Sequence, residues 1–336
     1  MVLMFPFSYG FSLLCVVGSL LAVSSSHWLG VWLGLEINLL GFIPLMVQGF
    51  EGGQGVESAV KYFIVQALGS SFILLGGFSL GDYLFSWFFG GCGTAFMLFC
   101  FFGLCLKLGV APFHWWVPSV MGGLSWFCCG VLLTWQKFGP FFILGGFSYN
   151  FYFLLLIFGL FSSIIGGVLG IGQVQIRLLM AYSSIGHWGW LLSLLSASFF
   201  SSIFYYSFYF VLSGGLFYFF YIAGLGRVSQ ITSAQICFIF VGLLSMGGLP
   251  PLSGFVMKMI GIQGMVTKSG VFWLGGLILG SLLSLFYYLN FVFVLILATD
   301  IGWGGSAKFY SSVSVSIFVV LVVLGLPFYE IFLCLA

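Results

Sequence analysis

Charge is what this sequence has least of: Asp, Glu, Lys and Arg make up only 4% of its 336 residues. A soluble domain carries about 25% charged residues, so no water-facing surface can be assembled from this composition. Eight basic and six acidic side chains leave a net charge of +2, too sparse for a nucleic-acid footprint. Nucleotide motifs are missing as well. No Gly-x-Gly-x-x-Gly follows a strand pattern and no Walker A sequence occurs, so a site for NADH or ATP is not expected in this chain. The eight cysteines, Cys15, Cys92, Cys100, Cys105, Cys128, Cys129, Cys237 and Cys334, contain no Cys-x-x-Cys pair. Iron–sulfur and zinc centres need clustered thiolates, so small buried apolar thiols are expected instead, and no His pair suggests haem. The start, Met1-Val-Leu-Met-Phe-Pro-Phe7, has neither the basic n-region of a signal peptide nor the Arg/Ser-rich pattern of a transit peptide. A retained first helix is expected there.

What is present is apolar: 62% hydrophobic residues and a mean hydropathy of +1.26. Runs long enough to cross a bilayer, about 20 residues each, predict an all-α polytopic membrane protein forming a single transmembrane helical domain over 1–336. Eleven spans are expected, near 4–23, 28–48, 58–79, 92–111, 122–146, 150–169, 178–196, 202–224, 235–258, 271–298 and 313–334. The polar breaks between them are short: Ser24–His27, Gln48–Glu57, Gly170–Arg177, Arg227–Gln235 and Asp300–Lys308. None can hold an extramembrane domain. Some of the 49 glycines fit close helix packing in lipid, and the excess of 44 Phe and 11 Trp suits a biased, organelle-encoded gene.

Two spans are interrupted. Leu104-Cys-Leu-Lys-Leu-Gly-Val-Ala-Pro-Phe-His-Trp-Trp-Val-Pro118 and Ser245-Met-Gly-Gly-Leu-Pro-Pro-Leu-Ser-Gly-Phe-Val-Met-Lys258 each join Gly and Pro breakers to one lysine. Proline removes a backbone donor. Broken backbone at membrane depth is tolerated only where protein or a water-filled cavity takes up the freed groups. The two breaks fall in the fourth and ninth spans and so run oppositely across the bilayer, which points to a transporter-like ion site in inverted halves. With eleven crossings, Lys61, Arg177, Arg227 and Lys308 share the side of the N-terminus and Lys268 lies opposite. The positive-inside rule then puts the N-terminus on the cytoplasmic or matrix side.

Glu36, Lys107, Lys137 and Lys258 are the ionisable residues well inside predicted helices. At mid-membrane each costs roughly 2.5–3.5 kcal/mol on insertion scales. Two readings stand side by side: long lysines snorkelling to an interface, or amines held inside to carry protons. Pairing Lys with Glu favours both charged forms while burial opposes them, so a Lys that can pair with Glu36 is a switchable proton site. Its bland counterpart is a static ion pair fixing helix register. His187 is either a satisfied core histidine or part of a relay with the nearby hydroxyls of Tyr182, Ser183 and Ser184. His114 could cap the first broken helix or line its cavity, and His27 is expected at an interface. Trp115, Trp116 and Trp303 suit the interfacial aromatic belt.

Gly34-Leu-Glu-Ile-Asn38, Lys61-Tyr-Phe-Ile-Val-Gln66, Lys107-Leu-Gly-Val-Ala-Pro-Phe-His114 with Trp116-Val-Pro118, Thr134-Trp-Gln-Lys137, Ala181-Tyr-Ser-Ser-Ile-Gly-His187 and Gly247-Gly-Leu-Pro-Pro-Leu-Ser-Gly254 with Lys258 occur in this order. Through them the chain resembles the mitochondrial NADH dehydrogenase subunit 2 family, antiporter-like membrane-arm subunits of respiratory complex I. The resemblance implies a redox-driven proton pump of the inner membrane, with the N-terminus on the matrix side. NADH, FMN, iron–sulfur clusters and ubiquinone would belong to partner subunits and no cofactor to this chain. Its partners would be other complex I subunits, above all neighbouring antiporter-like ones, and the lipid bilayer. It also implies roles in proton translocation: Glu36 and Lys107 as the glutamate–lysine pair, Lys137 as the central connecting lysine, Lys258 as the lysine of the second broken helix, and His187 on the central polar axis. Ser119 stands where the family often has an acid, which removes any acidic role at that turn. A stand-alone cation/proton antiporter of related fold and a non-pumping structural spacer remain alternatives.

Overall fold

The computed structural model describes residues 6–48, 53–78, 94–146, 148–223, 233–250, 252–266, 268 and 271–300. The expected eleventh span at 313–334 lies outside the described residues, as do Cys92, Arg227, Trp303, Lys308 and Cys334. The helices are α1 (Pro6–Ser24), α2 (Trp28–Gln48), α3 (Gln54–Phe78), α4 (Thr94–Leu108), α5 (Trp116–Met121), α6 (Trp126–Leu133), α7 (Phe138–Gly146), α8 (Tyr152–Gly170), α9 (Ile176–Ala197), α10 (Phe199–Ala223), α11 (Ser233–Gly247), α12 (Ser253–Val266) and α13 (Val271–Asp300). Among the described residues there is no strand. Seven helices there are long and apolar enough to cross a membrane. Cys15, Cys100, Cys105, Cys128 and Cys129 are buried free thiols, as expected.

Two differences from the expected spans bear on function. The run at 122–146 is not one helix: α6 and α7 are separated by a 3-10 turn at Trp135–Lys137. Pro140 has no N–H for the carbonyl of Gln136 four residues earlier, so the α-helical hydrogen-bond series fails there and tightens into the turn. Gly139 and Pro140 sit in the first turn of α7, where a proline costs little. The other difference is a short helix, α5, after the first break, which the hydropathy pattern did not reveal; the run at 235–258 is two half-helices, α11 and α12, as its Gly and Pro breakers predict.

The chain divides into two compact units, Met1–Tyr152 and Phe153–Ala336. In the first, α1 packs on α2, α2 on α3 and α3 on α4. Gly34 of α2 lies so close to the backbone of Ala22 that any side chain there would collide with it. Such small-residue contacts drive helix association in lipid, where the hydrophobic effect between helices is absent. In the second unit, Gly166 of α8 faces Tyr182 and Gly186 of α9, and Gly159 faces Gly189 and Ser193, so the two helices are antiparallel. Gly167 meets Gly280 and Leu283 of α13, and Gly170 meets Tyr287, so α8 and α13 run the same way. Val256 and Ile260 of α12 are buried against Phe204 and Phe208 of α10.

Candidate functional site

Each interrupted span ends its first half with the same device. After α4, Gly109 takes φ +68°, and after α11, Gly248 takes φ +76°, the left-handed region that only glycine enters at no steric cost. Around Gly109, its own N–H reaches the Leu106 carbonyl at 3.2 Å and the Val110 N–H reaches Cys105 at 3.3 Å. Around Gly248, the matching bonds run from Gly248 to Ser245 at 2.9 Å and from Leu249 to Leu244 at 3.4 Å. This is the Schellman arrangement, which satisfies carbonyls that a helix end would otherwise leave exposed to lipid.

At the first break side chains add two further hydrogen bonds to the helix end. Trp116 Nε1 donates to the Leu106 carbonyl at 3.1 Å, and Gln66 Nε2 of α3 donates to the Lys107 carbonyl at 3.3 Å. This corrects the interfacial reading of Trp116. Its ring is buried, closes the helix end and lies 5.8 Å from the ring of Tyr62, while Trp115 next to it is 74% exposed. His114 donates from Nδ1 to the Pro112 carbonyl at 3.2 Å, so it serves the break locally, and its Nε2 is buried with no hydrogen-bond partner. His27 is exposed between α1 and α2.

Lys107, in the last turn of α4, is 5% exposed. Its Nζ lies 3.9 Å from Glu36 Oε1 of α2, an ion pair at a separation too long for a hydrogen bond. At that distance the attraction is about 4 kcal/mol for an effective dielectric of 20. The cost of holding two charges at membrane depth, roughly 2.5–3.5 kcal/mol each, is about 5–7 kcal/mol. The attraction offsets much of this but not all, so a small change in separation or in a neighbouring charge decides whether the pair stays charged. Nearby, the Tyr62 hydroxyl of α3 donates to Gln136 Oε1 at 3.3 Å, in the 3-10 turn. Lys137, the next residue, is 1% exposed and among the largest fully buried side chains. Both lysines are buried in the protein, and neither extends to an outer surface.

In the second unit, Lys258 lies on α12 and its Nζ donates to the carbonyl of Gly247, the last residue of α11. A half-helix C-terminus carries partial negative charge, so the amine sits where a cation is favoured. Lys258 is part-buried and turned toward the break, in a space left by Gly248. His187 of α9 shares a hydrogen bond of 2.9 Å between Nδ1 and the hydroxyl of Tyr205 on α10. The expected partners on its own helix serve elsewhere: Ser183 and Ser184 donate to the Met180 and Ala181 carbonyls at 2.8 and 2.7 Å. A serine in a helix readily bonds back to the preceding turn, which satisfies its donor locally. A small cavity with room for about one water molecule is lined by Ser183, His187, Lys258, Ser281 and Ser284.

Sequence reasoning missed Gln66, Tyr62, Gln136 and Tyr205. Tyr62 and Gln66 had a visible signal, two polar residues four apart in an apolar helix. Tyr205 had none, since its relation to His187 exists only between helices.

Residues 25–286 match the family model for the NADH:quinone oxidoreductase/Mrp antiporter transmembrane region. The NADH-ubiquinone oxidoreductase chain 2 of Lumbricus terrestris is 38% identical over 289 residues, covering 82% of this chain and 83% of that one. The chain 2 of Xenopus laevis is 37% identical over 298 residues, with 83% of each chain covered. Among solved structures, a chain of respiratory complex I from Thermus thermophilus with bound Aureothin superposes with a TM-score of 0.80 at 25% identity, covering 95% of this chain and 78% of that one. A chain of the Mrp complex from Dietzia sp. DQ12-45-1b shares the fold, with a TM-score of 0.76 at 18% identity over 84% of this chain and 59% of that one. Two lysine-bearing helix breaks on an antiporter-like fold and a match over most of the chain lead to one assignment: the chain belongs to the NADH:quinone oxidoreductase/Mrp antiporter transmembrane family.

Proposed function

We propose that this chain is a proton-translocating membrane subunit of the respiratory NADH:ubiquinone oxidoreductase. Glu36, Lys107 and Lys137 are the proton-carrying groups of its first unit, and Lys258 and His187 those of its second. The observation that carries this is the Glu36–Lys107 ion pair, 3.9 Å long and set at a helix break. A buried pair whose attraction offsets only part of its desolvation is a poor fastener and a good switch. When the pair opens, the lysine loses its counter-charge and releases its proton more readily. When it closes, the proton is held. Lys107 suits this because an ammonium gives up a proton on desolvation, whereas a guanidinium does not.

The driving electrons belong to partner subunits, which hold NADH, FMN, the iron–sulfur clusters and ubiquinone. This chain supplies ionisable side chains and binds none of these cofactors. Neighbouring antiporter-like subunits are its lateral partners. The chain lies in the mitochondrial inner membrane with its N-terminus on the matrix side. The Lys/Arg count supports that orientation; Arg177 stands at the start of α9, and Lys61 lies two turns into α3 with its side chain exposed.

The test is proton uptake by the assembled complex in vesicles, measured against NADH oxidation, with Lys107→Met. A lowered proton-to-electron ratio in a fully assembled enzyme is expected. An unchanged ratio would leave the chain as a spacer. Purification in mild detergent tests the other alternative: a pump subunit leaves the membrane with redox partners, an independent antiporter without them.

A further inference from the structure

His187 is the start of a row of buried phenols that the proton groups above leave unused. Tyr205 and Tyr209 lie four residues apart on α10, with Ser213 four residues further, so all three share one helix face. Tyr205 holds the 2.9 Å hydrogen bond to His187, and the ring of Tyr209 lies 5.4 Å from the imidazole. The Tyr209 hydroxyl sits beside those of Ser184 and Ser213. The Tyr288 hydroxyl of α13 sits beside those of Ser183 and Tyr287, and the rings of Tyr287 and Tyr288 are 4.8 Å apart. Tyr205, Tyr209 and Tyr288 are 0% exposed and Tyr287 is 3% exposed. Apart from one another and the neighbouring serines, the hydroxyls of Tyr209, Tyr287 and Tyr288 meet no hydrogen-bond partner among the described residues. Packing alone would be served by phenylalanine, which is abundant in this chain and has no hydroxyl to satisfy. Buried hydroxyls kept next to one another in one row call for a reason.

The row has a direction. Tyr287 packs on Gly170, the last residue of α8, next to the turn that leads into α9. Val174 in that turn is 87% exposed. His187 lies eleven residues inside α9, about 16 Å along its axis from Ile176. From Tyr205 to Ser213 is eight residues, about 12 Å in the same direction because α10 runs antiparallel to α9. The hydroxyls therefore span most of the depth between the histidine and the membrane face at the turn.

We propose that Tyr205, Tyr209, Tyr288 and Tyr287 form a hydroxyl route for protons between His187 and the membrane face that carries the Gly170–Gln175 turn. The route rests on the proton-translocating reading above and specifies where protons enter or leave the second unit. Each transfer balances. The His187 imidazolium gives its Nδ1 proton to the Tyr205 oxygen as Tyr205 releases its own hydroxyl proton to the next oxygen, water or phenol. Every phenol ends neutral with its O–H turned the other way, nothing is oxidised, and rotation of each hydroxyl about its C–O bond resets the row for the next proton. The cavity between His187 and Lys258 gives the histidine a second neighbour through one water, so the row does not end blind.

Tyr209→Phe and Tyr288→Phe, singly and together, keep the rings and remove the hydroxyls. In the assembled complex in vesicles they are expected to keep NADH oxidation in the presence of uncoupler, and to lose as much of the proton-to-electron ratio as Lys107→Met does. The solvent deuterium isotope effect on proton uptake is expected to grow in the single variants, which a packing role would not cause. If the double variant fails to assemble, the single variants decide the matter. A lowered ratio for Lys107→Met with a normal ratio and isotope effect for the phenylalanine variants overturns the route and leaves the function standing. Normal ratios for all of them overturn both.

Discussion

Gly248 and Lys258 occupy one another's space. A methyl group on Gly248 would lie 2.7 Å from both Cδ and Cε of Lys258 and 2.8 Å from its Nζ. The glycine is in the left-handed region at φ +76°, and the lysine amine donates to the carbonyl of the residue before it. One glycine thus both turns the chain and makes room for the amine at the break. Gly248→Ala is expected to cost about 1–2 kcal/mol from backbone conformation alone and to push the amine off the Gly247 carbonyl. Thermal unfolding of the assembled complex reads the first effect and its proton-to-electron ratio the second. An alanine variant with both unchanged would show that the lysine position does not depend on this contact.

Gly254 meets the Ser245 carbonyl so closely that a β-carbon would overlap it. The two halves of the second break therefore join backbone to backbone. Gly254→Ala is expected to abolish assembly, seen as loss of the chain from the purified complex. Stable incorporation would mean that α11 and α12 can separate without harm.

Lys137 is 1% exposed in the interior of the first unit. Taking an ammonium out of water costs several kcal/mol, and an apolar side chain of similar volume does not bear that cost. Lys137→Met is expected to leave the complex at least as stable to heat while lowering its proton-to-electron ratio. A destabilised complex that pumps normally would reverse the assignment of this lysine.

Glu36→Gln keeps the shape and removes the counter-charge of Lys107, 3.9 Å away. Buried and without its partner, the amine would be neutral for more of the cycle. Proton uptake is expected to fall in Glu36→Gln as it does in Lys107→Met, and the double variant to be no worse than either single one. Additive losses in this cycle would show that the two residues act independently.

The Tyr62 hydroxyl donates to Gln136 at 3.3 Å and ties α3 to the 3-10 turn beside Lys137. Tyr62→Phe should destabilise by about 1 kcal/mol, the net worth of one hydrogen bond. Denaturation of the complex in detergent measures it, and no change would mean that the turn is held by its apolar contacts alone.

Much of the fold was readable because lipid imposes few choices. Runs of about 20 apolar residues can only be helices at that depth. The spans at 28–48 and 150–169 correspond to α2 at Trp28–Gln48 and α8 at Tyr152–Gly170. The breaks were legible from Gly109, Pro112, Gly248 and Pro250. The turn at Trp135–Lys137 was less so, since Gly139-Pro140 after a lysine fits either an ended helix or a helix that resumes. Trp116 went to the wrong environment because its sequence neighbour Trp115 does face outward, and adjacent residues on a short helix point different ways.

Composition, hydropathy and the solitary lysines beside glycine and proline settled that this is a membrane helical bundle with interrupted spans. They also singled out the amines at membrane depth but left open whether these snorkel, and burial in the folded chain decided that Lys107 and Lys137 stay inside. The tertiary structure alone decided who faces whom: Glu36 with Lys107, Lys258 with the carbonyl of Gly247, His187 with Tyr205. Those pairings depend on the approach and direction of separate helices. Small residues such as Gly34 and Gly254 set that approach, and no periodicity along one segment can report it.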